Sequence, residues 1–273
     1  MPSGHKPHVD HCLNCAEPTP GAYCASCGQE AVSAHIRFRE QIADFLGEIL
    51  SFEARLPQTI RVLFTHPGEL TRAYNAGQRV RYVTPLKTYL FTSFVFFVVL
   101  SLSPHESSPV SDSAGLRDML DAPNHGGIPA LLVPHLESLL KSPEGFTAAL
   151  FDAISKATVA LVPIHAALLK LVYLRKKRLY GEHIVFSLHA HAFGYVAYTL
   201  SNLSDFVPSH DFASLMGVAA FVSTWGYTVL AARRVYAEGL FRAFVKSCVV
   251  GLGYLVGLTL VLSLAATVVF FRT

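Results

Sequence analysis

The sequence predicts an all-α integral membrane protein. About five transmembrane helices follow a small N-terminal four-cysteine zinc ribbon and an amphipathic helix. Three observations lead there. The chain is 52% hydrophobic and only 15% charged, with a mean hydropathy of +0.40. That is too little charge to cover the surface of a soluble fold. The apolar residues are gathered into long blocks separated by basic or turn-rich stretches. Finally, two Cys-x-x-Cys pairs, Cys12/Cys15 and Cys24/Cys27, stand eight residues apart near the N-terminus.

The cysteine pairs come first in the chain. A Cys-x-x-Cys turn presents two thiolates on one knuckle, and tetrahedral zinc takes four at about 2.3 Å. Gly28 follows the second pair, where a knuckle needs φ > 0, and Pro18, Pro20 and Gly21 supply a turn between the pairs. A redox pair or two disulfides are the alternatives. The first expects a single Cys-x-x-Cys in a βαβ setting, the second a secreted domain. Closed four-thiolate spacing favours structural zinc, and with it a reducing compartment. The polar residues 1–11 carry three histidines, of which His11 is a weak competitor for the metal once four thiolates close the site. The ribbon with its flexible N-terminus is expected over residues 1–33, and a cytoplasmic helical region over 34–85.

Within that region, Phe38, Ile42, Phe45, Leu46, Ile49, Phe52 and Leu56 recur at three- and four-residue steps, with charged residues largely between them. This predicts an amphipathic helix across 36–64, broken or kinked at Pro57. The mixed charges of its polar face favour packing on protein over binding anionic lipid. His66-Pro67-Gly68 is a turn signal. Arg72, Arg79, Arg81 and Lys87, interleaved with Tyr74, Tyr82 and Tyr89, form a membrane anchor ahead of the first span. A converging phosphate or headgroup site is the less favoured reading of the same arginines.

The expected spans are 86–102, 153–174, 184–203, 212–232 and 247–271. A polar, acidic outer loop covers 103–152, with a surface helix expected within 128–140. The first span, at 17 residues, reaches about 26 Å, the short end of the range. It and the outer segment leave the span number open by one. Basic residues cluster after the second and fourth spans, as Arg175 to Arg178 and as Arg233, Arg234, Arg242 and Lys246. The positive-inside rule then puts the N-terminus in the cytoplasm and the C-terminus outside. The first eighty residues contain no signal-peptide apolar run, so internal segments drive insertion.

Ionisable groups inside the bilayer are the remaining candidates for chemistry. They are His165 in the second span and Glu182, His183, His189 and His191 at the start of the third. Helical periodicity sets Glu182 and His189 on one face with His183 beside it. Hydrogen bonding between helices is the favoured role; a metal, haem or proton site is the alternative. Gly253-x-x-x-Gly257 permits a close helix contact. Phosphate loops and nucleophile elbows are absent from the sequence.

The combination resembles an uncharacterised bacterial membrane family catalogued as domain of unknown function 3667. The residues that carry the resemblance are Cys12, Cys15, Tyr23, Cys24, Cys27, Gly28, Gln29, Pro67, Gly68, Tyr74, Gly77, Arg79, Tyr82 and Pro85. The stretch Tyr180-Gly181-Glu182-His183 with His189 adds to them. Ala16 departs from the pattern, since the family often has glycine there. The resemblance implies a zinc-ribbon-headed protein of the bacterial inner membrane and no activity.

Together these readings predict a non-enzymatic adaptor or scaffold, with zinc as a structural cofactor. Membrane lipids, a cytoplasmic protein and a second copy of the chain are the expected partners. A net charge of +3 and no basic patch around the ribbon speak against nucleic acid. The competing function is a membrane enzyme or transporter built on the histidines.

Overall fold

The computed structural model describes residues 8–31, 55–103, 114–122, 127–207 and 209–272. Nine α-helices occur among the described residues, with no strand longer than an isolated bridge. They are α1 (Leu56–Thr65), α2 (Glu69–Asn75), α3 (Pro85–Leu102), α4 (Ala114–Asp121), α5 (Val133–Lys141), α6 (Pro143–Val172), α7 (Tyr180–Leu203), α8 (His210–Tyr236) and α9 (Leu240–Phe270).

Most of the helix expected across 36–64 lies outside the described residues. In its described part, Pro57 opens α1, at a first-turn position where the missing N–H has no intrahelical partner to lose. Pro85 likewise opens α3. Helix α6 starts at Pro143 rather than at residue 153. Gly145, Ala148, Phe151 and Asp152 in its first turns are exposed, a setting that tolerates charge such as the Asp152–Lys156 pair at 2.6 Å. The surface helix expected within 128–140 is α5.

Among the described residues, four helices are long and apolar enough to cross a membrane: α3, α6 from Ala148, α8 from Asp211, and α9. The third expected span, 184–203, forms α7, which is less apolar and sits at the centre. Fifteen of its 24 residues are buried, and it packs against α3, α6 and α8, and also against α2 and α1. Helix α9 is its opposite: four of 31 residues are buried, and it packs on α6 and α8. Cβ atoms added at Gly253 or Gly257 would come within 3.0 Å of Leu168 and Ile164 on α6, so the small residues permit that approach.

Aromatic contacts fill the centre. Phe193 of α7 stacks on Tyr227 of α8 at 4.1 Å, and Tyr173 on Tyr236 at 3.7 Å. Tyr89, Phe96 and Phe97 of α3 surround Tyr195.

Candidate metal centre and the polar contacts of the bundle

The two Cys-x-x-Cys segments fold as copies of one knuckle. The Ala16 N–H donates to Cys12 O at 2.8 Å, and the Gly28 N–H to Cys24 O at 2.9 Å. Cys12 N bonds Glu17 O, and Cys24 N bonds Gln29 O, each at 2.8 Å. The equivalent residues Ala16 and Gly28 both hold left-handed backbone, φ +65° and +73°. Alanine at the first knuckle therefore adds strain without losing a ligand. Bonds from Val9 N to Ala31 O and from Thr19 N to Asp10 O tie the knuckles together.

This geometry brings four Sγ atoms within 4.8 Å of one another. Cys12 and Cys27 stand 3.5 Å apart, Cys15 and Cys24 3.5 Å, and Cys15 and Cys27 3.6 Å. A tetrahedral metal–thiolate site with bonds of about 2.3 Å has sulfur–sulfur edges of about 3.8 Å. The four sulfurs fit a tetrahedral metal and are too far apart for disulfides. The Gln29 backbone N–H beside Cys27 pulls that thiol down to about 7. At Cys15 the Glu17 amide also pulls down, but desolvation and the neighbouring Cys24, Cys27 and Cys12 sulfurs outweigh it and push the thiol up to about 12. His11 lies outside this group of ligands, its backbone bridged to Pro18.

Gln29, the residue after the second knuckle, joins the head to the bundle. Its amide Nε2 donates to Gly77 O at 2.9 Å, and its Oε1 accepts the Arg79 N–H at 3.1 Å. The side chain is buried, so both halves of the amide are satisfied where water cannot substitute. The gripped turn leads directly to α3. Val83 N donates to Thr59 Oγ1 on α1 at 3.0 Å, and Arg55 donates to Val80 O at 2.5 Å.

The five membrane candidates do not converge on one centre. Glu182 serves the start of α7: Oε2 accepts the Leu179 N–H at 2.8 Å and Oε1 takes Arg178 at 2.7 Å. Its expected face-mate His189 instead meets Thr71 Oγ1 of α2 at 2.9 Å. His183 meets Tyr236 OH at 2.8 Å.

His165 and His191 share a third arrangement with Ser187. Ser187 Oγ donates to Val162 O at 2.9 Å, which uses its one proton. It must therefore accept from His165 Nδ1, 3.1 Å away. His191 Nδ1 lies 2.8 Å from Ser187 O, an atom that only accepts, so this nitrogen carries the proton. In the neutral ring Nε2 then accepts from Tyr254 OH at 2.9 Å. The chain of bonds links α6, α7 and α9. Among the described residues, the cysteines are the one group of three or more His, Cys, Asp or Glu ligands close enough to share a metal.

Sequence reasoning missed Gln29, Thr71, Ser187, Tyr236 and Tyr254 as partners. Gln29, Gly77 and Arg79 do all belong to the motif residues quoted above, which was a usable signal. Nothing local marks the others.

Fold and site define a helical protein with membrane-spanning potential and a four-cysteine metal-binding head. A family described as "Protein of unknown function (DUF3667)" matches residues 53–97, the stretch through α1, α2 and most of α3. The match supports kinship with an uncharacterised family. No curated protein and no solved structure gives a significant match to the chain.

Proposed function

We propose that the protein is a non-enzymatic adaptor of the bacterial inner membrane, whose zinc-bound head faces the cytoplasm and docks a protein partner. The observation that carries this reading is the Gln29 grip. A closed four-thiolate set leaves no open coordination position for substrate, and Gln29 fastens that set to the turn ahead of α3. The head is therefore a rigid platform. Cys12 and Cys24 face inward, while Tyr23 on the second knuckle is 65% exposed; an exposed tyrosine on a fixed backbone suits protein contact. Zinc is the metal a tetrahedral four-thiolate site suits best. The basic residues after α6 and α8 support the cytoplasmic assignment of the head and the opposite assignment of the C-terminus.

The test is metal content and visible absorption of the purified full chain, beside a chain lacking residues 1–33. A photo-crosslinking residue at position 23 in cells reports the partner. One zinc per chain, lost on truncation, and a discrete crosslinked partner that disappears with Cys24→Ser are expected. Metal or a haem band surviving truncation would instead place a cofactor among His165, His183, His189 and His191, and the adaptor reading would fall.

A further inference from the structure

The turn His66-Pro67-Gly68 rests on the last turns of α8. Gly68 has φ +80°, and a Cβ there would stand 2.9 Å from the Cα and carbonyl oxygen of Ala231, so turn and helix meet backbone to backbone. The contact presents the Pro67 carbonyl to Arg234, whose guanidinium donates to it at 2.9 Å. Beside this contact lies a cavity of about 430 Å³ lined by Pro67, Leu230, Arg233, Arg234 and Glu238.

The charges around the cavity are unbalanced. Arg234 commits one nitrogen to Pro67, and the Arg233 guanidinium has no hydrogen bond or ion pair among the described residues. The neighbouring carboxylates are paired with other cations. Glu69 accepts two bonds from Arg72, at 2.8 and 3.1 Å, and Glu238 Oε1 lies 2.8 Å from Lys246 and 3.7 Å from Lys176, while Glu238 Oε2 is buried with no hydrogen-bond partner among the described residues. The Arg72 hydrogen bonds hold the Glu69 carboxyl below its usual range, and the charges of Arg72, Arg234 and Arg81 add to the effect. Those guanidinium groups thus surround one region. Arg72, Arg81, Arg233 and Arg234 are all exposed. Below them the character changes: Leu230 is exposed, as are Val222 and Val218 further along α8, and this helix is long and apolar enough to cross a membrane. The cavity thus opens where an apolar helix surface gives way to arginine, the arrangement of a membrane–water boundary.

We propose that this cavity binds the phosphate of an anionic lipid headgroup, with Arg233 and the remaining N–H groups of Arg234 on the phosphate oxygens and an acyl chain against Leu230. Guanidinium forks match phosphate oxygens in pairs. The turn held by Gly68 keeps the wall formed by Pro67 in place before any ligand arrives. A free phosphate shares the headgroup chemistry but has no use for the apolar wall.

The test uses the delipidated full chain in neutral detergent, titrated with dioctanoyl phosphatidylglycerol, dioctanoyl phosphatidylcholine and inorganic phosphate, with binding followed by calorimetry. Phosphatidylglycerol should saturate one site, and the other two probes should bind at least tenfold more weakly. Arg233→Gln removes no side-chain hydrogen bond or ion pair among the described residues and should keep the fold while weakening phosphatidylglycerol at least tenfold. Arg234→Gln also loses the Pro67 bond, so Arg233→Gln is the deciding variant. Inorganic phosphate binding as tightly as phosphatidylglycerol would overturn the lipid assignment. Absence of saturable binding, or an unchanged affinity in Arg233→Gln, would overturn the site itself. Neither metal nor a protein partner enters this measurement, so its failure leaves the adaptor reading separately testable.

Discussion

The four-cysteine head and the helical bundle order their chains by different means. The head has almost no apolar interior: Cys12, Cys24 and Ala31 are its buried hydrophobic residues, beside Thr19 and Gln29. Two knuckles of backbone hydrogen bonds cannot offset the entropy of that many residues, so the fit of four sulfurs to a metal has to supply the difference. The bundle is held by α7, whose buried face meets three long helices, and by polar bonds that pass between helices. Energy is concentrated at one point in the head and spread over the packed helix faces in the bundle. A single removal should therefore be catastrophic in the first and graded in the second.

Metal removal tests this most severely. Apparent metal-binding free energies of about 10–16 kcal/mol are folding energy for small thiolate sites. Chelation, or Cys24→Ser, should abolish hydrogen-exchange protection across residues 8–31 and leave the helical circular dichroism of the bundle intact. Loss of helix across α3 to α9 on chelation would end the distinction between the two regions.

Within the bundle, depth should set the cost. Phe186 on α7 is 1% exposed, whereas Leu260 on α9 is 66% exposed. Phe186→Ala should cost about 3–5 kcal/mol through cavity formation, and Leu260→Ala less than about 0.5 kcal/mol, both read by denaturant unfolding in micelles. Equal losses would mean that α7 is not the organising helix.

The polar contacts come next. Tyr254→Phe leaves His191 Nε2 without its donor and should cost about 1 kcal/mol, the scale of hydrogen bonds between membrane helices. A double-mutant cycle with His191→Phe should show most of that energy as coupling. At the head, Ala16→Gly relieves a left-handed alanine and should tighten metal retention by up to about 1 kcal/mol, measured by chelator competition.

The smallest effect concerns acid. Arg72, through its hydrogen bonds to Glu69, holds that carboxyl below its usual value. The pair's stabilisation is therefore complete above the unfolded carboxyl pKa and is lost as pH falls through the lower folded value. The pair is partly exposed, which limits the effect to a few tenths of a kcal/mol. Glu69→Gln should flatten the acid limb of the stability curve by that amount, and a larger change would mean that Glu69 has a further role.

The cysteine spacing and the apolar blocks were legible because each is short-range: a knuckle closes over a few residues, and a helix follows from its own composition. The five long helices were legible for the same reason, their starts falling one to ten residues ahead of the expected positions. Pro57 opens α1 at its first turn; a proline that ends one helix and one that opens the next look alike in sequence. Glu182 and His189 share a helical face by periodicity, yet they were separated by their neighbours. Arg178 and the exposed N–H groups at the start of α7 hold one, and Thr71 of α2 holds the other.

By itself the sequence determined an apolar helical chain with a four-thiolate head, since spacing and hydropathy act along the chain. Only the tertiary structure decided that α7 lies inside the bundle and α9 outside, that Gln29 reaches 48 residues onward to Gly77, and that Arg233 and Arg234 meet the Pro67 turn. Those outcomes depend on which faces are buried against which, and burial is a property of the assembled helices, not of any one of them.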